Sequence, residues 1–257
     1  MLLDVPDDRE FQRYLDHVEQ RLHVRLAPIL AAAIHLQVAR NFVQAQDYIK
    51  QRGRPLLELF YRRIYRDQFR AVTRQLEEKQ LTPFMQEQLT WLQLHAASQI
   101  TNISQTLTDQ VADIVTDMVR QGKGAPAIAR EIRKQAVTIG KARAAVIART
   151  ETHNAAMAAV EASLKYKNIT IRSKTWQAVG DSKVRPSHAA VSGTTVPFDQ
   201  PFTVGGSLMM RPGDGSLGAG AEEIVNCRCS VLYHTTTAPS ARPPAVPPGG
   251  TWLNEPL

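Results

Sequence analysis

The stretch Ala148-Arg149-Thr150-Glu151-Thr152-His153-Asn154 carries the most information about the fold of this chain. Small apolar residues precede it, so the pattern predicts a helix with neighbours on every side. Charged groups that enter a buried region need partners, and we therefore expect Arg149 and Glu151 to reach other elements. Arg149 and His153 are four residues apart and share one helix face. Either a structural polar network or a functional site would use such residues.

Upstream of this stretch the chain is predicted to be helical. Apolar residues recur at helical spacing from about Asp7 to Val24, and Pro28 is placed to begin a second helix. Gly53 and Pro55 are predicted to break the chain before a third helix. The pair Thr82-Pro83 predicts the N-cap and first position of the next one.

The segment from Pro83 to Arg120 carries an apolar stripe that repeats every eleven residues. This repeat is close to the natural twist of an α-helix, so the stripe predicts one long helix that needs a partner. A helix bundle or an elongated stalk would supply it. Gly122-Lys123-Gly124 is predicted to end this helix, followed by a short helix over 125–134 and another over about 138–166.

Beyond Asn168 the sequence predicts short strands and loops. Residues 170–179 predict a strand that contains Trp176, and residues 224–233 predict a final strand. From Thr235 the chain is rich in proline and is predicted to be an extended, largely unpacked tail.

The predicted fold class is therefore α+β, mostly α. We expect a helical bundle or stalk in residues 1–121, a small α+β domain in 122–234 and a proline-rich tail in 235–257. Hydrophobic residues make up 43% of the 257 residues, which is enough for a core, and only 6% are aromatic, which favours helices over an all-β design.

Charge and cysteine content narrow the class of protein. The net charge of +7 favours contact with polyanions, nucleic acid above all. Two cysteines are too few for a disulfide framework and indicate synthesis in a reducing cytoplasm. The acidic N-terminus does not resemble a signal peptide, and no stretch is apolar enough to predict a membrane span.

A second polar segment runs from Asp181 to His188. Asp181 is predicted to cap a helix, and Arg185 and His188 are three residues apart and would face the same way. A carboxylate, a guanidinium and an imidazole within eight residues suit anion binding or acid–base chemistry. His188 by itself would equally suit a structural role.

A third segment contains both cysteines. Cys227 and Cys229 are two residues apart, so on a strand both thiols would point to the same face. With His188 and His153 they would complete a tetrahedral zinc site. The alternative, which needs no cofactor, is that both cysteines are small buried hydrophobes. Just upstream, Arg211-Pro212-Gly213-Asp214 predicts a tight turn.

Taken in order, these segments resemble the phage Mu F-like head morphogenesis domain, within roughly Gly122 to Tyr233. Family members often carry Pro-x-His before the Asn-Cys-Arg-Cys segment, where this chain has Glu222-Glu223-Ile224-Val225, which puts in doubt any metal role resting on that histidine. The resemblance rests on Ala148 to Thr152, Trp176, Asp181 to His188, Ser192-Gly193, Pro212-Gly213-Asp214 and Asn226 to Cys229.

The resemblance implies a minor capsid protein of a bacteriophage, made in the host cytoplasm and located in the virion. Proteins of this family associate with the portal vertex or the head interior and act in capsid assembly, genome packaging or ejection. The implied partners are the portal, major capsid or scaffold proteins. Positive groups would contact packaged DNA without reading its sequence.

Two other functions stay open. A nuclease would use His153 or His188 as general base and Arg185 to hold phosphate. The resemblance also implies an ADP-ribosyltransferase-like alternative, since Mu F-like domains are joined to toxin domains in some phages. The chain lacks a glycine-rich phosphate loop and a paired acidic motif for two metals, which argues against an enzyme. A DNA-binding regulator would use residues 122–134 as part of a helix-turn-helix, but the helix that follows lacks base-reading side chains at its start. The candidate catalytic residues are Arg149, Glu151, His153, Asp181, Arg185 and His188.

Overall fold

The computed structural model describes residues 2–3, 8–38, 42–73, 78–166 and 169–235. Long helices are followed by a small sheet region, which confirms the predicted mostly-α α+β class. The predicted proline-rich tail was to begin at Thr235, which instead ends the last strand; residues 236–257 lie outside the described residues.

Four long helices form the first part of the chain: α1 (Asp8–Val38), α2 (Phe42–Thr73), α3 (Glu78–Arg120) and α4 (Ala125–Tyr166). The end of α3 is as predicted. Gly122 has a positive φ of 71°, and the amides of Gly122 and Lys123 bond back to the carbonyls of Val119 and Met118 at 2.9 and 3.0 Å. This pair of bonds is the Schellman arrangement that glycine favours at a helix end.

Several predicted helix boundaries are wrong. Pro28 lies inside α1, and α2 continues through both Gly53 and Pro55. Helix α3 begins at Glu78, four residues before Thr82. Helix α4 is a single element from Ala125, where a short and a longer helix were predicted.

Burial explains why these residues do not interrupt the helices. Leu26 and Leu30, on either side of Pro28, are both 0% exposed, whereas Pro28 itself is exposed. Gly53 is buried and packs against Ile100 of α3. The free energy gained by burying apolar residues on both sides outweighs the local cost of a proline or glycine in a helix.

The described residues group into two compact units. Unit 1 comprises Met1–His17, Arg63–Glu87 and Arg149–Leu257, and unit 2 comprises Val18–Arg62 and Gln88–Ala148. Each long helix contributes one part to each unit. The domain boundaries expected after residues 121 and 234 stay predictions, because such grouping does not test which parts fold independently.

Unit 2 consists of packed helices. The central part of the α3 stripe is buried, whereas its ends, Leu89, Ile114 and Met118 among them, are half-buried. Gln37 of α1 donates a hydrogen bond to Thr108 of α3 at 3.3 Å. Gly140 of α4 lies against the backbone of Ala27 and Ala31 in α1. The buried stripe residues in this unit are Leu92, Ala96, Ile100, Ile103, Leu107 and Val111.

Unit 1 contains an antiparallel sheet of order β1-β6-β2-β3 and a separate hairpin, β4-β5. Strand β2 agrees with the predicted strand. The final strand, β6, begins six residues later than predicted, because a short helix and an irregular segment occupy residues 221–229. The elements are β1 (Leu2–Leu3), β2 (Ile171–Gln177), α5 (Pro186–Val191), β3 (Thr195–Pro197), β4 (Phe202–Val204), β5 (Ser207–Met209), α6 (Ala221–Ile224) and β6 (Ser230–Thr235).

The core of unit 1 is built around Trp176 of β2, which is 0% exposed. Its indole meets Phe202 edge-on, with ring centroids 5.3 Å apart. Cys227 and Cys229 belong to the same buried cluster, so the segment before β6 is part of the core. None of the described helices combines the length and apolar character needed to cross a lipid bilayer.

Candidate functional site

His188 and both cysteines meet in the core of unit 1. The Nδ1 atom of His188 lies 3.3 Å from the sulfur of Cys229 and 3.6 Å from that of Cys227. The three potential ligand atoms lie within 4.8 Å of one another, and all three residues are buried. The two thiols therefore point together as predicted, although they lie just before strand β6 instead of on it.

Short helix α5 positions His188. Pro186 occupies the start of the helix, where its fixed φ and missing N–H cost nothing. The ring of His188 packs edge-on against the indole of Trp176 in the core of unit 1, with ring centroids 5.3 Å apart. Only 1% of His188 is exposed.

Glu223 of α6 fixes the other side of the His188 ring. Its Oε2 atom lies 2.9 Å from Nε2 of His188 and also accepts a hydrogen bond from Ser187 Oγ at 2.9 Å. A carboxylate can only accept, so Nε2 carries a proton, and in the neutral ring this leaves the Nδ1 lone pair facing the sulfurs. Sequence analysis missed Glu223 as a site residue, because 35 residues separate it from His188 and no local pattern marks it.

The two thiols perturb each other. The hydrogen bond between them raises the pKa of Cys227 and lowers that of Cys229. Burial raises the pKa of Cys227 further, and the hydrogen bond between His188 and Cys229 helps to lower that of Cys229. Cys229 is therefore the sulfur that exists more readily as a thiolate.

Helix α4 reaches the same segment through His153. The Nε2 atom of His153 lies 2.7 Å from the carbonyl oxygen of Cys229, to which it donates. Burial lowers the pKa of His153, which favours the neutral ring. His153 was one of four predicted zinc ligands, but it is not in the cluster of three, and its Nε2 is engaged with the backbone.

Neighbouring residues of α4 show that the helix is surrounded, as predicted. Glu151 is buried and Arg149 half-buried, whereas Thr150 accepts a hydrogen bond from the backbone amide of Asn226 at 3.1 Å. Asn226 is the one described non-glycine residue with a positive φ, 59°. The bond from Thr150 helps to hold the backbone in this strained conformation.

Asp181 and Arg185 also bind the cysteine segment. Both carboxylate oxygens of Asp181 pair with Arg228, at 2.6 and 2.8 Å, and this pairing lowers the pKa of Asp181. Arg185 donates to the carbonyl oxygen of Val225. Asp181 caps a turn through the amide of Lys183 and not helix α5, whose N-cap is Arg185, so the predicted capping role was misplaced.

The predicted tight turn at residues 211–214 is confirmed and packs on α4. The amide of Asp214 bonds to the carbonyl of Arg211 at 3.1 Å, and Gly213 has a φ of 77°. A Cβ atom on Gly213 would collide with Asn154 and approach His153 Nδ1 to 3.2 Å. Glycine is therefore required here by both conformation and space.

These contacts explain why the motifs occur together as an ordered set. The α4 motif and the Asp181–His188 segment both bind residues 225–229, and the 211–214 turn covers the α4 motif. Chemically, the cluster of His188, Cys227 and Cys229 suits a metal ion. The chain of contacts from Cys229 through His188 to Glu223 also resembles a catalytic thiol, its general base and the carboxylate that orients the base. Cys229, however, is only 3% exposed.

Comparison with known proteins matches the part of the chain that contains these motifs. Residues 109–232, which contain every motif described above, match the family model described as Phage Mu protein F like protein. The chain is also similar to "Minor head protein GP7" of Bacillus phage SPP1, with 27% identity over 130 residues, or 49% of this chain. The match spans 41% of that relative's length. No solved structure gives a significant match.

Proposed function

Because residues 109–232 match the model of the phage Mu F-like family, we propose that this chain is a minor head protein that acts in assembly of a bacteriophage head. The family match carries the proposal, and the similarity to a relative named as a minor head protein supports it. The internal bonding of the motif residues supports a structural role, because their polar groups bind one another.

We propose that the protein works at the portal vertex or in the head interior, with portal, major capsid or scaffold proteins as partners. Unit 2 offers the contact surface for such partners. It exposes apolar side chains of kinds that interfaces bury: Val24, Val43 and Leu94 are 64%, 70% and 66% exposed.

Packaged DNA is a second proposed contact. Residues 120–141 contain six lysine or arginine residues and one acidic residue, Glu131. Arg130, Arg133 and Lys134 are exposed on α4. Such a stretch would bind phosphates through counterion release, without reading the sequence.

Assembly in a defined system tests the proposal. The chain is co-expressed with the portal, scaffold and major capsid proteins encoded in the same genome, and procapsids are purified. We expect the chain to sediment with the heads in few copies and to be lost from them when the portal is omitted. Recovery of the chain only as free protein, with and without portal, would refute the role in the head.

The observed contacts do not favour the enzymatic alternative. Asp181 binds Arg228, Arg185 binds a backbone carbonyl, and His188 is almost fully buried. A general base must reach a proton of its substrate, which this burial opposes. Normal, stable heads that lose infectivity with both His188→Ala and Glu151→Gln would nevertheless favour a catalytic role.

A further inference from the structure

We propose that His188, Cys227 and Cys229 bind a zinc ion in unit 1. The ligand atoms are Nδ1 of His188 and the two sulfurs, and a water molecule takes the fourth position. Two thiolates, one imidazole and a water molecule form a tetrahedral set of ligands that zinc accepts. The ion would tie helix α5 to the segment that leads into β6.

The distances between the ligand atoms fit a tetrahedral zinc ion. With Zn–S bonds of about 2.3 Å and Zn–N bonds of about 2.0 Å, tetrahedral angles place nitrogen and sulfur about 3.5 Å apart. The observed distances from Nδ1 to the two sulfurs are 3.3 and 3.6 Å. Both nitrogen–sulfur distances therefore match those expected around a bound zinc ion, and all three ligand atoms lie within 4.8 Å of one another.

The orientation of His188 is the second argument. Glu223 accepts the Nε2 proton, so the ring is held with its Nδ1 lone pair facing the sulfurs. Histidines that bind metals commonly donate their other nitrogen to a carboxylate in this way. Ser187 binds the same carboxylate oxygen and holds Glu223 in place.

A buried donor beside the cluster is also consistent with bound metal. The Nε1 atom of Trp176 is buried without a conventional hydrogen-bond partner among the described residues. Its side chain interacts with the sulfur of Cys229. A metal-bound thiolate is a stronger acceptor than a thiol, so a bound ion would satisfy this indole N–H.

Other uses of the cysteines fit less well. A disulfide between residues two apart would be strained, and a catalytic thiol needs access to its substrate. Cys227 and Cys229 are 2% and 3% exposed. The proposed site uses no histidine from residues 222–225, so the missing Pro-x-His of the family does not weaken it.

Metal content of the full chain, purified without a histidine tag, tests the proposal. We expect one zinc per chain by mass spectrometry, and X-ray absorption should show two sulfur ligands with nitrogen and oxygen completing the shell. His188→Ala and the double variant Cys227→Ser/Cys229→Ser should lose the metal. His35→Ala, which changes an exposed histidine of unit 2, should keep it.

Spectroscopy of the unmodified chain keeps the test independent of how the variants fold. Cobalt added to the metal-free chain should give thiolate-to-cobalt absorption and the intense visible bands of a tetrahedral site. A chain that retains no more zinc than the double variant and gives no such bands would overturn the proposal. The proposal would also be overturned if the two thiols react with a thiol reagent at the same rate before and after a chelator is added.

Discussion

Glu223 brings a carboxylate into the core of unit 1, where two donors converge on one of its oxygens. Ser187 and His188 each lie 2.9 Å from Oε2. A buried hydrogen bond to a charged group contributes about 1.5–3 kcal/mol, and an orphaned donor costs a similar amount. A single carboxylate therefore holds helices α5 and α6 together and sets the tautomer of His188.

Glu223→Ala should lower the free energy of unfolding by about 2–4 kcal/mol, because it leaves the Nε2 proton of His188 without an acceptor. Urea unfolding at neutral pH measures this. Glu222→Ala is the matched control, since Glu222 is exposed, and should change stability by less than about 0.5 kcal/mol. Equal unfolding midpoints for the two variants would contradict the role assigned to Glu223.

Lys174 is a buried cation on the central strand β2. It is 2% exposed, and its Nζ lies 5.6 and 5.5 Å from the ring centroids of Phe198 and Phe202. Burial lowers its pKa from 10.5 to about 8. Of the charged groups around it, Glu161 and Asp214 oppose this shift and Arg211 and Lys165 support it.

The sign of the pH dependence follows from this pKa. Between about pH 8 and 10.5 the unfolded chain holds the Lys174 proton and the folded chain does not, so this residue makes stability rise with pH. Lys174→Met should therefore raise the free energy of unfolding at pH 7, by about 3 kcal/mol at most, and the gain should shrink near pH 10.5.

Urea unfolding of both proteins at pH 7, 9 and 10.5 measures the difference. Lys183→Met, at an exposed position, is the control, and its free energy of unfolding should differ from that of the unmodified chain by the same amount at every pH. If the difference in free energy of unfolding between Lys174→Met and the unmodified chain is also the same at every pH, burial does not perturb the pKa of this lysine.

At the scale of elements, substitutions at two buried glycines distinguish the effect of helix propensity from the effect of packing. A Cβ on Gly53 would lie 2.8 Å from Cδ1 of Ile100, the flexible end of a side chain. A Cβ on Gly140 would lie 2.9 Å from the backbone nitrogen of Ala31 and 3.0 Å from the carbonyl of Ala27. The side chain can rotate away, whereas the backbone of a packed helix cannot.

Gly140→Ala should lower the free energy of unfolding by about 1–2 kcal/mol, since overpacking outweighs the gain in helix propensity. Gly53→Ala should be neutral or slightly stabilising, because Ile100 can move. Thermal and urea unfolding of the two variants measure the contrast. If Gly140→Ala proves as stable as Gly53→Ala, the close approach of α4 to α1 is incorrect.

The helices also show the limit of local prediction. The predicted end of α3 was correct, because glycine ends a helix through its own backbone conformation, which does not depend on distant residues. The breaks expected at Pro28 and Pro55 were wrong, because residues buried on both sides keep α1 and α2 continuous. Whether such a residue interrupts a helix depends on what the helix buries.

At the scale of the whole molecule, the proposed DNA contact predicts salt-dependent binding. Arg130→Glu/Arg133→Glu should weaken binding to duplex DNA of any sequence and reduce the slope of log K against log salt by about 2. Lys50→Glu/Arg52→Glu, two exposed cations on α2, is the control with equal charge change. Fluorescence anisotropy at several salt concentrations gives both slopes, and identical effects of the two pairs would remove residues 130–134 as the contact.

The sequence alone determined the helical class, the central stripe of α3, strand β2 and the resemblance to the phage Mu F-like family. These features depend on periodicity, on glycine at specific turns and on the order of motifs, which are properties of short segments. It also indicated that the two cysteines point together, although the strand on which that prediction depended begins only at Ser230.

Only the tertiary structure decided which partners the motif residues take. Glu223 lies 35 residues from His188, and Cys229 lies 76 residues from His153, so packing of distant elements set both contacts. In the packed structure His153, a predicted zinc ligand, instead contacts the backbone of Cys229, and Glu223 is the partner of His188. Local patterns specify which groups are available, whereas burial in a shared core determines which of them meet.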